Sequence, residues 1–272
     1  MRVVSQQNLF LKFLEEFFRS NLYLFIFFRF ITSFFFSKII FDTDFNFLNY
    51  ISKNKLLKNK ILLDVGGCDG MSIKIMRKFT KNKIYSFEPI YESFMKLKKL
   101  EKKNSKLRAF NFGLSNKNKT MFMYKLFFKE FHLSPYDSLY KKDIFLRIKK
   151  SLFVKNIKKK IHFKREKVVL KKLDNLKLNP CFIKVDIEGH EYKFVLGALQ
   201  TIKKYTPIIM MEYEKKNCEK VFSLLKKNYY QKYFWNDKKK KLIKHKCENV
   251  FNIFFITNNK YVCINDNRKI IN

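Results

Sequence analysis

The 272-residue chain contains little glycine, proline and tryptophan, with 6, 4 and 1 residues, and only 23 acidic residues against 59 Lys and Arg. It contains no glycine- or serine-rich linker and no repeat of about 20–50 residues, so a second domain is not supported. The length and a hydrophobic content of 47% suffice for one α/β domain with a substantial core.

Cysteine occurs five times without a C-x-x-C pair, and no Cys/His spacing typical of zinc sites is present. This pattern argues against a zinc centre, and it predicts reduced thiols, as in a cytoplasmic protein. The cysteines stand alone at 68, 181, 218, 247 and 263.

The formal net charge of +36 would ordinarily indicate a nucleic-acid partner or an anionic membrane surface. The excess is nearly all lysine, and it accompanies many Phe, Ile and Asn residues, a composition that AT-rich codons produce across a whole proteome. We therefore interpret the charge as a property of the genome and expect no nucleic-acid partner. The lysine runs at 158–160 and 238–241 are predicted to lie in solvated loops or hairpins.

Residues 22–36 form a strongly apolar run that is shorter than the roughly 20 residues of a membrane span and contains Arg29. No small-residue cleavage site follows, which argues against a signal peptide. Two interpretations stay open. Residues 1–55 form apolar helices that pack over the main domain, or residues 9–41 contact a membrane surface peripherally.

From residue 61 onward, short apolar strands alternate with helical segments, which predicts a mainly parallel sheet with helices on both faces. Residues 56–272 would form this domain, with an insertion or lid at about 127–165. The predicted helices are 71–79, 90–103, 192–205 and 215–228. The predicted strands are 61–65, 83–89, 107–114, an antiparallel 120–126, the start of 166–176, the first part of 181–191, 207–213, 230–235 and 250–257.

Polar residues stand at or just beyond the ends of several predicted strands, namely Asp64, Glu88, Asn111, Asp186 and Glu212. Ligands of parallel α/β sheets bind at the carboxyl ends of the strands. The sequence therefore predicts one site at this edge of the sheet.

The glycine turn after the first strand excludes two common nucleotide sites. A dinucleotide fold requires G-x-G-x-x-G, but counting from Gly66, the second and third glycine positions hold Cys68 and Met71. A P-loop requires Gly-Lys-Ser/Thr after the turn, and residues 69–72 do not supply it.

The residues that remain fit a smaller cofactor. Asp64, Gly66, Gly67 and Gly70 form an acidic, glycine-rich turn, and Glu88 ends the second strand, where a carboxylate can accept both ribose hydroxyls. Without a pyrophosphate to bind, the turn has only to approach a ribose and an amino-acid tail, whose ammonium Asp64 can meet. This predicts S-adenosyl-L-methionine, with a tight turn that binds no ligand as the alternative.

Several segments together resemble FkbM-type methyltransferases over residues 60–213. They are "LLDVGGCDG" with "SFEP", "NFGLSN" at 111–116, "LKKLDNL" at 170–176 and "FIKVDIEGHEYKFVLGALQTIKKYTPIIMMEY" at 182–213. The family pattern usually reads D-V-G-A-N-x-G, and here Gly67 and Cys68 replace the Ala and Asn. The resemblance implies a class I, Rossmann-like methyltransferase fold and O-methylation, often of sugars or polyketide-type hydroxyls.

The stretch "VDIEGHE" carries the predicted chemistry, because a hydroxyl acceptor benefits from a group that removes its proton. Asp186 is predicted to be a catalytic or substrate-orienting acid and His190 a base; a structural acid and a solvent-facing helix start are the alternatives. Glu188 is predicted to bind a sugar hydroxyl, or a divalent metal together with Asp186, although nothing else in the sequence requires a metal. Glu212 and, through the resemblance, Ser138 are predicted substrate contacts.

The predicted function is thus O-methylation of a hydroxyl on a sugar, glycan or related small molecule. One alternative is a nucleic-acid methyltransferase, for which "NPCF" at 179–182 would supply the motif. That motif lies at the start of the strand predicted in 181–191, whereas it would need to follow this strand to reach the cofactor. The other alternative is a non-enzymatic, membrane-associated binding protein.

Overall fold

The computed structural model describes residues 43–53, 57, 60–128, 130–133, 136–151, 161–246 and 250–265. The described residues fall into two compact units, a smaller one within Phe122–Glu166 and a larger one within Thr43–Met121 and Lys167–Asn272. The predicted apolar helices before residue 43 and the predicted membrane contact at 9–41 lie outside the described residues. Within these ranges, none of the helices has the length and apolar character needed to cross a membrane.

Strands and helices alternate along most of the described chain. The strands are β1 (Ile61–Val65), β2 (Lys83–Phe87), β3 (Leu107–Phe110), β4 (Gly113–Leu114), β5 (Lys119–Phe128), β6 (Phe131–His132), β7 (Ile161–Lys171), β8 (Pro180–Val185), β9 (Ile208–Glu212), β10 (Tyr230–Asn236), β11 (Lys241–Lys244) and β12 (Asn252–Thr257). The helices are α1 (Asn46–Lys53), α2 (Met71–Phe79), α3 (Tyr91–Lys102), α4 (Lys141–Ser151), α5 (Glu191–Leu196), α6 (Leu199–Tyr205), α7 (Lys215–Leu225) and α8 (Asn258–Asn265). Short 3₁₀ turns occupy Thr43–Phe45, Leu173–Leu176 and Lys226–Asn228.

The described part of the larger unit contains an eight-stranded sheet in the order β11-β10-β12-β9-β8-β1-β2-β3. The five strands from β9 to β3 are parallel, and β12 runs antiparallel to both β9 and β10. This confirms the predicted mainly parallel α/β sheet. Because β8, β1 and β2 are adjacent and parallel, their carboxyl ends meet at one edge.

Both faces of this sheet are buried, which is why its strands read as continuous apolar runs. Leu62 and Phe182 belong to the core on one face, and Leu63 and Ile183 belong to the core on the other; all four are fully buried. Residues 43–53 contribute Phe45, Phe47, Leu48 and Ile51 to the first of these cores.

Several elements differ from the sequence prediction. The predicted strand at 107–114 is two strands, because β3 pairs with β2 whereas β4 pairs with β7. The predicted helix at 192–205 is broken at Gly197 into α5 and α6. The short strand β11 was not predicted, although the lysine run at 238–241 does lie at the β10–β11 hairpin, as expected.

The smaller unit contains an antiparallel hairpin that joins β5 to β6, in agreement with the predicted antiparallel strand. The Asp137 carboxylate supports it by accepting a hydrogen bond from the Leu126 backbone N–H, and it lies 2.8 Å from Nε2 of His132. Apolar side chains of the hairpin and of α4 form its core, namely Leu126, Phe128, Leu133, Tyr136, Ile144 and Ile148.

We expect Gly197→Ala to lower the free energy of unfolding by about 2 kcal/mol. A Cβ atom at this position would lie 2.0 Å from the Ser115 carbonyl oxygen, which belongs to backbone and cannot rotate away. Chemical denaturation measures the effect, with Gln200→Ala on the exposed side of α6 as the control. Equal stability of the two variants would contradict the close approach of Gly197 to the Ser115 backbone.

Candidate active site

The loops that follow β1 and β8 meet through their backbones at the carboxyl edge of the sheet. The Asp186 N–H donates to the Val65 carbonyl at 2.9 Å, and the Gly66 N–H donates to the Phe87 carbonyl at 3.0 Å. A Cβ atom on Gly66, whose φ is 89°, would lie 1.9 Å from the Asp186 carbonyl oxygen. Only glycine therefore allows this approach, which brings the predicted turn and the predicted acid together.

Both loops contain left-handed backbone at residues other than glycine. Cys68 has a φ of 44° and Glu188 a φ of 54°, next to Gly70 at 80° and Gly189 at 93°. Left-handed φ values are uncommon outside glycine and cluster at functional sites. The two loops therefore share a strained backbone conformation at the same edge of the sheet.

Glu88 follows β2 directly and is 5% exposed. One carboxylate oxygen accepts from the Cys68 N–H at 2.9 Å, and the other accepts from the Ile90 N–H at 2.8 Å. The Asn111 amide donates to the Glu88 carbonyl at 3.1 Å. A carboxylate presents several acceptor positions, and ribose hydroxyls donate hydrogen bonds to a group of this kind. The Glu88 carboxylate, as a hydrogen-bond acceptor at this edge, thus fits the ribose of S-adenosylmethionine.

Asp64 is fully buried inside the sheet edge. It accepts hydrogen bonds from the hydroxyls of Ser72 and Ser86, both at 2.9 Å, and lies 3.8 Å from the ammonium of Lys184. Burial raises the pKa of Asp64, while Lys184 and the two hydroxyls oppose the rise. Lys184 is thus an internal cation beside Asp64. The predicted contact of Asp64 with the ammonium of a cofactor stays a prediction.

Asp186 follows β8, and its side chain is 43% exposed. One carboxylate oxygen lies 3.1 Å from the Lys184 ammonium, which is the same cation that approaches Asp64. Glu188 is half-buried two residues further along. Sequence reasoning missed Lys184, although a lysine inside the buried stretch "FIKVD" was a signal for it.

His190 is 5% exposed, and its Nε2 lies 2.9 Å from the Ser115 hydroxyl. Burial lowers the pKa of His190 to about 4, with smaller contributions from Lys193 and Lys119. A histidine with this pKa is neutral at pH 7 and binds a proton weakly. The base role predicted for His190 remains untested, but this environment favours a role in holding the loop.

Glu191 supports the same loop from within. One of its oxygens accepts from the backbone N–H groups of Ile187 and Gly189, and the other accepts from the Asn217 amide. Glu191 is 3% exposed, and burial raises its pKa. These bonds fix the loop that carries Asp186 and Glu188 against α7.

The two predicted substrate residues, Glu212 and Ser138, lie in different units of the chain. Glu212 is exposed at the end of β9, at the same edge as Asp186. Ser138 is buried in the smaller unit, where its backbone pairs with Tyr124 and its hydroxyl accepts from the Tyr140 N–H. Among the described residues, no group of three or more His, Cys, Asp or Glu side chains is arranged to hold a metal ion.

The stretch "NPCF" begins at the opposite end of β8 from Asp186, since Pro180 is the first residue of that strand and Asp186 follows its last. Cys181 is buried, and burial raises the pKa of its thiol to about 11. This stretch therefore lies at the end of β8 opposite to the site, as the sequence predicted.

Replacement of Cys68 tests the strain in the first loop. We expect Cys68→Asn to raise the free energy of unfolding by about 0.5 kcal/mol, because asparagine tolerates left-handed backbone better. The matched variant Cys68→Val should lower it, because a β-branched residue tolerates this conformation worst. Both retain the backbone N–H that donates to Glu88, and thermal unfolding compares them. The reverse order would contradict the strain at this position.

The buried His190 should make the stability of the protein depend on pH. Its folded pKa lies below the ordinary value of 6.5, so the unfolded chain binds the proton more tightly and stability falls as the pH drops. Between pH 7 and pH 5, His190 should remove about 2 kcal/mol from the free energy of unfolding. His190→Gln should lack this part of the loss in denaturant titrations at the two pH values. An identical loss in both proteins would show that His190 is not buried in its neutral form.

The family model described as Methyltransferase FkbM domain matches residues 64–232, which is more than half of the chain. No curated protein matches the chain. The matched range contains both loops of the site, β2 with Glu88, and the chain from the last two residues of β1 to the first three residues of β10.

Solved methyltransferase structures are similar to this chain at low identity. A methyltransferase FkbM from Methylobacillus flagellatus KT has 14% identity and a TM-score of 0.45, covering 73% of this chain and 43% of that one. A SAM-dependent O-methyltransferase from Thermotoga maritima has 7% identity and a TM-score of 0.41, covering 80% and 66%. A ribosomal protein L11 methylase from Lactobacillus delbrueckii subsp. bulgaricus has 10% identity and a TM-score of 0.40, covering 76% of this chain and 74% of that one.

The chain thus spans less than half the length of the Methylobacillus structure. Its sheet is that of a class I methyltransferase-like α/β fold, as predicted. With the family model covering the strands and loops that build the site, the chain belongs to the FkbM family of methyltransferases.

Proposed function

We propose that this chain transfers a methyl group from S-adenosylmethionine to a hydroxyl oxygen of a sugar, a glycan or a related small molecule. The observation that carries the proposal is the Glu88 carboxylate, which two backbone N–H groups hold at the carboxyl end of β2. One of these groups belongs to Cys68 in the glycine turn, so the ribose-binding acid and the turn form one preorganised unit.

Residues of three neighbouring strands would hold the cofactor. Glu88 would accept the ribose hydroxyls, and Asn111 fixes the backbone that follows β2. The loop from Gly66 to Gly70 would approach the amino-acid tail through its backbone. Asp64 would contribute negative charge beneath this loop, since it is fully buried there.

When bound, S-adenosylmethionine supplies an electrophilic methyl group. The chain contributes orientation, because holding the acceptor oxygen in line with the methyl carbon can supply about 7–11 kcal/mol of the barrier. The exposed Asp186 carboxylate would accept a hydrogen bond from the acceptor hydroxyl and receive its proton as the new oxygen–carbon bond forms. Glu188, half-buried beside it, would bind a neighbouring hydroxyl of the acceptor.

The charge of the site favours a neutral hydroxyl acceptor over nucleic acid. Asp186, Glu188 and the exposed Asp69 place carboxylates at this edge, whereas the chain as a whole carries a net charge of +36. Carboxylates repel phosphates and accept hydrogen bonds from hydroxyls. The stretch "NPCF", which would support a nucleic-acid reaction, begins at the far end of β8.

Substitution of the two central carboxylates separates binding from turnover. We expect Glu88→Ala to abolish binding of S-adenosylmethionine, because it removes the ribose acceptor, whereas Asp186→Asn should retain binding and lose methyl transfer. Isothermal titration measures the affinity, with Glu92→Gln on the exposed side of α3 as the matched control. Equal loss of binding in both variants would assign Asp186 to the cofactor instead of the acceptor.

A screen of acceptors with methyl-labelled cofactor tests the proposed substrate class. Sugars and glycolipids should become labelled in the presence of the wild-type protein and should not with Asp186→Asn. RNA serves as the competing acceptor. Labelling of RNA alone would overturn the hydroxyl proposal, and failure of the folded protein to bind S-adenosylmethionine would overturn the cofactor assignment as well.

A further inference from the structure

Lys184 belongs to a polar row that crosses three neighbouring strands. In the parallel sheet, Lys184 of β8 is in register with Asp64 of β1, which is in register with Ser86 of β2. Residues in register on parallel strands point to the same face of the sheet. A serine, an aspartate and a lysine are thereby placed side by side in three strands whose other buried residues are apolar, directly below the two loops of the site.

The lysine side chain is buried but remains charged. It is 12% exposed, and its ammonium lies 3.1 Å from an Asp186 oxygen and 3.8 Å from an Asp64 oxygen. Burial acts to lower the pKa of Lys184, but the carboxylates of Asp186 and Asp64 outweigh it, so the pKa is raised. The ammonium therefore stays protonated at neutral pH.

The two contacts of Lys184 differ in length, and the shorter one is with the acid that is proposed to act on the acceptor. A lysine that only neutralised the buried Asp64 would make its shorter contact there. The shorter contact is instead with Asp186, whose side chain is 43% exposed and faces the solvent edge of the site. Lys184 thus connects a buried acid of strand β1 with the more exposed acid of the loop that follows β8.

We propose that Lys184 is a positioning residue of the methyl-transfer site, whose ammonium neutralises Asp64 and holds the Asp186 carboxylate at the edge of the sheet. This inference rests on the proposed function for the part that concerns the cofactor. The two carboxylates and the ammonium together leave one net negative charge near the transferred methyl group.

That charge can be measured with two ligands that differ by a methyl group and one charge. S-adenosylmethionine carries a sulfonium, whereas S-adenosylhomocysteine carries a neutral thioether and is otherwise the same molecule. The ratio of their dissociation constants therefore reports the charge around the sulfur. A change that only disturbs packing weakens both ligands alike and leaves the ratio constant.

Isothermal titration of Lys184→Met with both ligands from pH 6 to pH 9 provides the test. We expect the ratio to move in favour of S-adenosylmethionine by about tenfold at pH 9, and by less at lower pH, where the buried Asp64, without its cation, takes up a proton. Lys184→Arg, which retains the charge, should stay within about twofold of the wild type. A ratio in Lys184→Met equal to that of the wild type at every pH would overturn the proposal.

A second measurement needs no ligand and remains decisive if Lys184→Met folds poorly. Without its cation, the buried Asp64 carboxylate has a folded pKa further above its unfolded value, so the stability of Lys184→Met should fall as the pH rises from 5 to 9. The double variant Asp64→Asn/Lys184→Met removes both charges and should recover stability and lack this loss.

Each result of the stability measurement is decisive for Lys184. Recovery in the double variant, including a double variant that folds where Lys184→Met does not, supports neutralisation of Asp64. Failure of the double variant to recover would show that Lys184 acts through packing and would overturn the proposal. If the wild type binds neither ligand, the proposed function fails, and the stability series still decides the role of Lys184 toward Asp64.

Discussion

The contact of the Lys184 ammonium with two carboxylates links the parts of the molecule on which the site depends. The parallel register of β1 and β8 places Lys184 beside Asp64, and the next turn of chain places Asp186 above both. Gly66 allows the two loops to touch at this point, because any larger residue would collide with the Asp186 carbonyl. The register of the sheet, the glycine turn and the two ion pairs of Lys184 therefore all position the same residues, namely Asp64, Lys184 and Asp186.

The remaining polar groups hold these loops from their outer sides. Glu88 accepts a backbone N–H from the loop after β1, and Glu191 accepts two from the loop after β8. The buried, neutral His190 joins the second loop to Ser115. These bonds hold the backbone of the loop that carries Asp186, as the proposed role of Asp186 in orienting an acceptor requires.

Local patterns predicted the edge of the sheet but not its long-range contacts. The apolar strands, the glycine turn and the acids at strand ends followed from periodicity and turn chemistry, so Asp64, Glu88 and Asp186 were placed at one edge. Gly197, where the predicted helix breaks, packs against the Ser115 backbone, which lies far away in sequence, and local helix signals do not reveal this contact. Burial of His190 escaped prediction for the same reason, since its partner is also Ser115.

In the proposed site, Glu88 binds the ribose of S-adenosylmethionine beside a glycine turn that approaches the amino-acid tail of the cofactor. A crystal structure of the protein with S-adenosylhomocysteine tests it most directly. The account predicts that both ribose hydroxyls lie within hydrogen-bonding distance of the Glu88 carboxylate, with the two backbone bonds of Glu88 retained. A nucleoside bound at another edge of the sheet, with the Glu88 carboxylate contacting only protein, would contradict it.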